Sequence, residues 1–324
     1  MIFSDKEILK KRITEIAGVG VPERLEIFED TSAFMSIDFG SILRLGGNDY
    51  LVTGHAREGR FGIDEQPKFW VKSCIDLTSG QRKIIKLVFH ESFDSQIGTS
   101  VYRCARSSAK EAEILRKMRN NPHFMQGDGV YDTAGNLVRI LDLVHGPSFY
   151  EYLRRLEMTH DAYYRQVFPG IIHPVIESIE AIAELHAKGL HHGDIRADHI
   201  LLNNRRGPFV WIDFDYEVDK PGYDVFCLGN VLLQAVGKGR HSLHDLKLNP
   251  SMYPDYPGTL TFDDMSLMFH HRVANLRKLF PHISPDLNEI LMRFSAGSAE
   301  PYRKLEALLA DLRSLYPRQL VGSG

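Results

Sequence analysis

Cysteine is scarce in this chain: three residues, Cys74, Cys104 and Cys227, in 324. An odd number, wide spacing and no Cys-x-x-Cys pair exclude a disulfide framework and fit a reducing compartment. An excess of one charge is also missing. The formal net charge is −3, which leaves no electrostatic footprint for nucleic acid or an anionic membrane surface. No run approaches the roughly 18 apolar residues a membrane span needs. The opening MIFSDKEILKKRI has no apolar core of a signal peptide. The 15 histidines are scattered, with no zinc-ligand spacing among them. Internal repeats and low-complexity tracts are absent. A cytoplasmic protein without a membrane or nucleic-acid partner is the expectation.

What is present is ordinary for a globular chain, 43% apolar and 25% charged, and long enough for two lobes with a core each. Ser4 and Glu7 have capping-box spacing, and Ile8, Leu9, Ile13 and Ile16 fall near one face, predicting a helix over 4–16. Pro22 and its surroundings read as a connector. From about 40 to 145 the chain is strand-rich: YLVTG, KFWVKSCIDL, RKIIKLVF and NLVRILDLV are β-branched or aromatic runs between Gly and Asp turns. One helix interrupts them near 107–119, stopped by Asn120-Asn121-Pro122. After His145-Gly146-Pro147 the pattern turns helical. Ile172, Val175, Ile176, Ile179, Ile182 and Leu185 recur at helical spacing and end at Gly189. Short strands are expected at HILL (199–202) and FVWIDF (209–214).

Several residues are placed to do chemistry. Asp194 lies in a polar turn, and Asp213 follows the apolar strand FVWI. Two acids shown from neighbouring loops suit phosphoryl transfer, one taking the proton of an attacking hydroxyl and one holding a divalent cation. Each taken singly also reads as a surface turn residue. Lys86 shares a strand face with Ile84 and Val88, and a lysine directed inward needs an anionic partner. Glu111, Glu113 or nucleotide phosphates would serve; an edge lysine facing solvent is the other reading. Glu111 also stands at capping-box spacing from Ser108. The turn AREGRFGID (56–64) carries Gly59 and Gly62, whose backbone could approach phosphates.

Taken in order, these pieces resemble the eukaryotic-type protein kinase family in its bacterial Ser/Thr form, from about 40 to 316. AREGRFG is similar to the Gly-rich loop, with Arg57 at its first Gly; FWVKSCIDLTSGQRKIIK to the strands ending in the kinase lysine; KEAEIL to the helix carrying its glutamate partner. RILDLVHGPSFYEYL resembles the fifth strand and hinge, HHGDIRADHILL the catalytic loop, and IDFDYE the metal-binding segment. YDVFCLGNVLLQAVGKG resembles the helix whose Asp, here Asp224, braces that loop. ISPDLNEILMRFSAGSAEPYRKLEALLADLRSL is similar to the closing helices of bacterial Ser/Thr kinases.

The resemblance implies an α+β, two-lobed fold, with an N-terminal helical extension at 1–39, a β-rich lobe at 40–145, a helical lobe at 146–316 and a tail at 317–324. It implies ATP with Mg²⁺ or Mn²⁺ as cofactors. Asp194 and Arg196 would be catalytic. Gly59, Gly62, Lys86, Glu111, Asp142 and Val144 would bind the nucleotide. Asp213 and His199 would hold metal. The acceptor would be a protein or small molecule. Four departures stand out. Gly193 replaces the Arg before the catalytic Asp; His199 replaces the Asn; Asp215 replaces the third residue of the metal segment; only eight residues separate Asp215 from Asp224. The missing segment and missing Arg agree, since without a phosphorylatable loop there is no use for a phosphate-binding Arg. A pseudokinase scaffold and an aminoglycoside-phosphotransferase-like small-molecule kinase are the alternatives these departures raise.

Overall fold

The computed structural model describes residues 2, 6–17, 25–60, 63–203 and 207–317. Ser4 of the expected capping box, the connector at Pro22 and Gly62 lie outside them. Helix α1 (Lys6–Ala17) places Leu9 and Ile13, one turn apart, in a fully buried cluster with Ile42, Leu51 and Leu77. Arg12 fastens it by donating to the carbonyls of Leu77 and Thr78 at 2.8 and 2.9 Å. Ile8, expected on the same face, is exposed.

Strands β1 (Ile27–Phe28), β2 (Ile42–Leu45), β3 (Asn48–Arg60), β4 (Ile63–Asp76) and β5 (Arg82–Lys86) follow. A hairpin, β6 (Ser92–Ile97) and β7 (Ser100–Arg106), precedes α2 (Ser108–Lys117), β8 (Gly127–Tyr131) and β9 (Leu137–Asp142). One seven-stranded sheet runs β1-β2-β3-β4-β5-β9-β8, antiparallel except for β1 with β2. The alternation in RKIIKLVF sends Ile85 and Leu87 into a core with Leu43, Val52, Val138 and Ile140. Lys86 therefore belongs to the opposite face. Helix α2 is capped by Ser107, whose hydroxyl accepts from Lys110 N. The cap expected at Ser108 is thus one residue earlier, and Glu111 has no part in it.

The chain divides into two compact units. The first comprises Met1–Glu91, Arg106–Asn121 and Met125–Val144; the second comprises Ser92–Ala105, Pro122–Phe124 and His145–Gly324. The β6–β7 hairpin thus belongs to the second unit. That unit contains α3 (Phe149–Arg155), α4 (His160–Gln166), α5 (Phe168–Ala187), β10 (Ile200–Leu202), β11 (Phe209–Trp211), β12 (Tyr216–Val218), α6 (Tyr223–Gly237), α7 (Leu243–Leu248), α8 (Pro285–Met292) and α9 (Leu305–Leu315). The apolar stripe of α5 is buried as its spacing predicts, and Trp211 donates from its indole to Ser178 O at 2.9 Å. β10 pairs antiparallel with β11, and β12 joins the hairpin in a sheet ordered β12-β7-β6. A β-rich unit and a helical unit make the α+β architecture that the motif order implies. No described helix is long and apolar enough to cross a membrane.

Gly229, in α6, tests how tightly the helical unit is packed. A Cβ there would meet Phe294 Cδ1 at 2.2 Å, and Phe294 is buried against Tyr302. Helix propensity favours Ala over Gly by about 1 kcal/mol, whereas overpacking a core costs about 1–3 kcal/mol. Gly229→Ala should therefore lower stability, by up to about 2 kcal/mol in urea denaturation; an unchanged or higher midpoint would show that the ring yields.

Candidate functional site

In the first unit, Lys86 and Arg139 are register partners on β5 and β9. Glu111 lies between them. Lys86 Nζ donates to Glu111 Oε1 at 2.7 Å and Arg139 Nε to Oε2 at 2.9 Å, with side-chain exposures of 6%, 0% and 1% for Lys86, Glu111 and Arg139. The lysine and glutamate singled out by the sequence thus form a buried pair 25 residues apart. Arg139 was missed, although it stands as a cation inside the apolar strand NLVRILDLV. Asp142 ends β9 with an exposed side chain paired to Lys83. Val144, two residues on, is half-buried. Gly59 lies in β3, and Arg57 is exposed.

In the second unit, the loop 191–199 is held from beneath. Asp224, at the start of α6, accepts from the backbone N–H of His192 (2.7 Å) and Gly193 (2.8 Å) and from His186 Nε2 (2.8 Å). Burial alone would raise its pKa. The His186 hydrogen bond and charge, with the Gly193 N–H, outweigh burial and hold the carboxyl well below the usual range. Gly193 has φ 81, a left-handed backbone that strains any residue with a Cβ. The buried His192 ring meets Trp211 and Phe214 edge-on at 5.2 and 5.8 Å.

Above this brace, Asp194, Arg196, His199 and Asp213 come together. His199 Nδ1 lies 2.8 Å from Asp194 O and 3.4 Å from Asp194 Oδ2. Its Nε2 is 2.5 Å from an Arg196 terminal nitrogen and 3.4 Å from Asp213 Oδ2. A carbonyl only accepts and a guanidinium only donates, so the neutral imidazole carries its proton on Nδ1 and accepts at Nε2. One buried ring thus lies 3.4 Å from a carboxylate oxygen of each acid. Asp213 has φ 64, a conformation that costs most L-residues roughly 1–2 kcal/mol. Burial pushes the Asp194 carboxyl up; His199 and Arg196 oppose this, and Asp213 and Asp215 add to it. Asp215 is almost wholly buried. The short link beyond it is strand β12, tied to the hairpin by reciprocal contacts: Arg103 N donates to Asp219 Oδ1 (2.9 Å), and Asp219 N to Arg103 O (3.1 Å).

No family model matches the sequence. Curated relatives do, and they are protein kinases. The chain is 19% identical over 134 residues to the human phosphorylase b kinase gamma catalytic chain, liver/testis isoform, covering 41% of this chain and 31% of that protein. It is 25% identical over 175 residues to fnkE, a probable serine/threonine-protein kinase of Dictyostelium discoideum, covering 44% and 13%. A probable myosin light chain kinase of the same organism is 26% identical over 98 residues, 30% and 29% of the two chains. The matched stretches therefore span less than a third of each relative. Among solved structures, the kinase domain of PknI from Mycobacterium tuberculosis aligns with a TM-score of 0.46 and 14% identity, covering 83% of this chain and 96% of that one. The sequence is protein-kinase-like at low identity.

Asp224 gives a pH signature. Its folded pKa lies below the unfolded value near 3.8, so its stabilisation is present above that value and is lost as pH falls toward the folded one. Asp224→Asn cannot accept all three donors through one oxygen. It should cost about 3 kcal/mol at pH 7, with the gap to the parent narrowing as pH falls below about 4. Urea titrations across that range check this; a gap independent of pH would contradict the assignment.

Proposed function

We propose that this chain is an ATP-dependent phosphotransferase of the cytoplasm that passes the γ-phosphate to a hydroxyl, with a protein Ser or Thr as the acceptor. The observation that carries the reading is the buried Lys86–Glu111 pair at 2.7 Å, joining a strand lysine to a helix glutamate as phosphate binding in this class requires. Lys86 takes the α- and β-phosphates, and Glu111 fixes its direction. Gly59 and Gly62 let the backbone approach the phosphates, while Asp142 and Val144 border the base. Asp194 receives the proton of the acceptor hydroxyl; its raised pKa brings its basicity nearer neutral pH. The hydroxyl oxygen attacks the γ-phosphorus, the bond to the β–γ bridging oxygen breaks, and ADP leaves. Arg196 contributes positive charge beside the transferred group.

Asp213 and His199 supply an oxygen and an imidazole nitrogen 3.4 Å apart. That donor set fits a divalent cation, Mn²⁺ better than Mg²⁺; when bound, the ion neutralises phosphate charge. The β12 strand favours an enzyme that needs no loop phosphorylation, because its residues are already paired to a hairpin. A second reading, a nucleotide-binding pseudokinase, is favoured by the 2.5 Å contact of Arg196 with His199 Nε2, which occupies the nitrogen a cation would use.

Labelled ATP with Mn²⁺ or Mg²⁺ and a Ser/Thr protein acceptor separates these readings. Transfer should be faster with Mn²⁺ and fall by roughly 10²–10⁴-fold in Asp194→Ala. Equal transfer by the variant would remove Asp194 from the mechanism. Thermal stabilisation by ATP without any transfer would establish the pseudokinase, and transfer only to small hydroxyl compounds would establish a small-molecule kinase.

A further inference from the structure

The Lys86–Glu111 pair does not stand alone. Directly opposed like charges on neighbouring strands repel, yet Lys86 and Arg139 face each other across β5 and β9 with almost no exposure. Glu111 reconciles them by giving one oxygen to each. Arg139 is itself tied to the sheet, donating from a terminal nitrogen to Leu137 O at 2.9 Å and toward Leu87 O at 3.5 Å. Its planar fork makes these contacts together with the one to Glu111, which a lysine head cannot do in the same geometry. Glu111 is fixed to α2, which is fixed by its Ser107 cap and by burial of Ile114 and Leu115. The carboxylate is therefore held by an arginine that belongs to the sheet framework, and Lys86 is not its sole support.

We propose that Arg139 is a positioning residue. It keeps Glu111 and α2 docked on the sheet independently of Lys86, so that the Lys86 ammonium can turn to nucleotide phosphates without releasing the helix. This rests on the reading above that Lys86 binds phosphate. An enzyme built this way needs no activating event to bring α2 into place, in keeping with a link segment already fixed as a strand.

The test uses the full chain without nucleotide, following hydrogen exchange of residues 108–117, and ATP affinity by titration. In Lys86→Met, exchange of α2 should stay within about twofold of the parent, because Arg139 still holds Glu111, while ATP affinity falls at least about tenfold. In Arg139→Gln, α2 should exchange about tenfold faster and ATP bind about tenfold more weakly, with the rest of the sheet still protected. Arg139→Lys keeps the charge without the fork and should recover both in part, to values between those of the parent and Arg139→Gln. Two results overturn the proposal: α2 losing protection in Lys86→Met as much as in Arg139→Gln, or Arg139→Gln loosening the whole unit evenly with no recovery in Arg139→Lys. If Arg139→Gln does not fold, Lys86→Met decides alone, since protection of α2 without Lys86 supports the proposal and its loss refutes it. If Lys86→Met binds ATP as tightly as the parent, the nucleotide reading fails, while the exchange data still judge the role of Arg139.

Discussion

A carboxylate cut off from water must find donors or remain protonated, and that constraint organises both units of this protein. An unpaired buried ion costs several kcal/mol, a large fraction of the stability of a typical domain. Glu111 meets the constraint with two cations from adjacent strands. Asp224 meets it with two backbone N–H groups and an imidazole. In each case the ion fixes a helix to the segment that carries chemistry. α2 has to sit where Glu111 reaches β5 and β9, and α6 has to present Asp224 beneath the loop that carries Asp194. The apolar cores supply most of the driving force, but they would tolerate small shifts of these elements. The ions do not, because a displaced donor leaves a charge uncompensated.

The loop above Asp224 explains two departures together. Gly193 takes a left-handed backbone at φ 81, where a side chain would be strained, and its N–H is one of the donors to Asp224. A glycine there relieves the backbone and gives up a cationic side chain. Beyond Asp215 the chain runs directly into β12. That strand is ordered by pairing with β7, by the Arg103–Asp219 contacts and by the edge-on packing of Phe93 against Tyr216. Pairing with the hairpin orders this segment.

Much of this was legible in the sequence, and the failures have physical causes. The strand RKIIKLVF, the stripe of α5 and the turn before Asp194 follow from periodicity and turn chemistry. The rule that an inward lysine needs an anion left Glu111, Glu113 and phosphates open for Lys86, and the fold pairs it with Glu111. The hairpin β6–β7 escaped notice because most of its side chains are polar or exposed; only the two-residue Gly98-Thr99 turn marks it. Arg139 escaped because strand alternation says which face a residue takes, while register between β5 and β9, separated by some fifty residues, is a tertiary fact. The α2 cap was placed at Ser108 because Ser107 and Ser108 are adjacent serines, and one-residue boundary errors are inherent in capping patterns.

His199 follows the same logic of donors and acceptors. An asparagine offers one donor and one acceptor from a planar group, and a neutral imidazole with its proton on Nδ1 offers the same two functions. His199 uses the donor on the carbonyl of Asp194 and accepts from Arg196 at Nε2, with Asp213 Oδ2 3.4 Å from the same nitrogen. Asp213 is delivered there under strain. The preceding strand is pinned by the buried Trp211, and the following residue by Phe214 against His192 and Phe124, so the backbone between them is forced to positive φ. The imidazole thus ties the Asp194 carbonyl to Arg196 within the loop that carries Asp194.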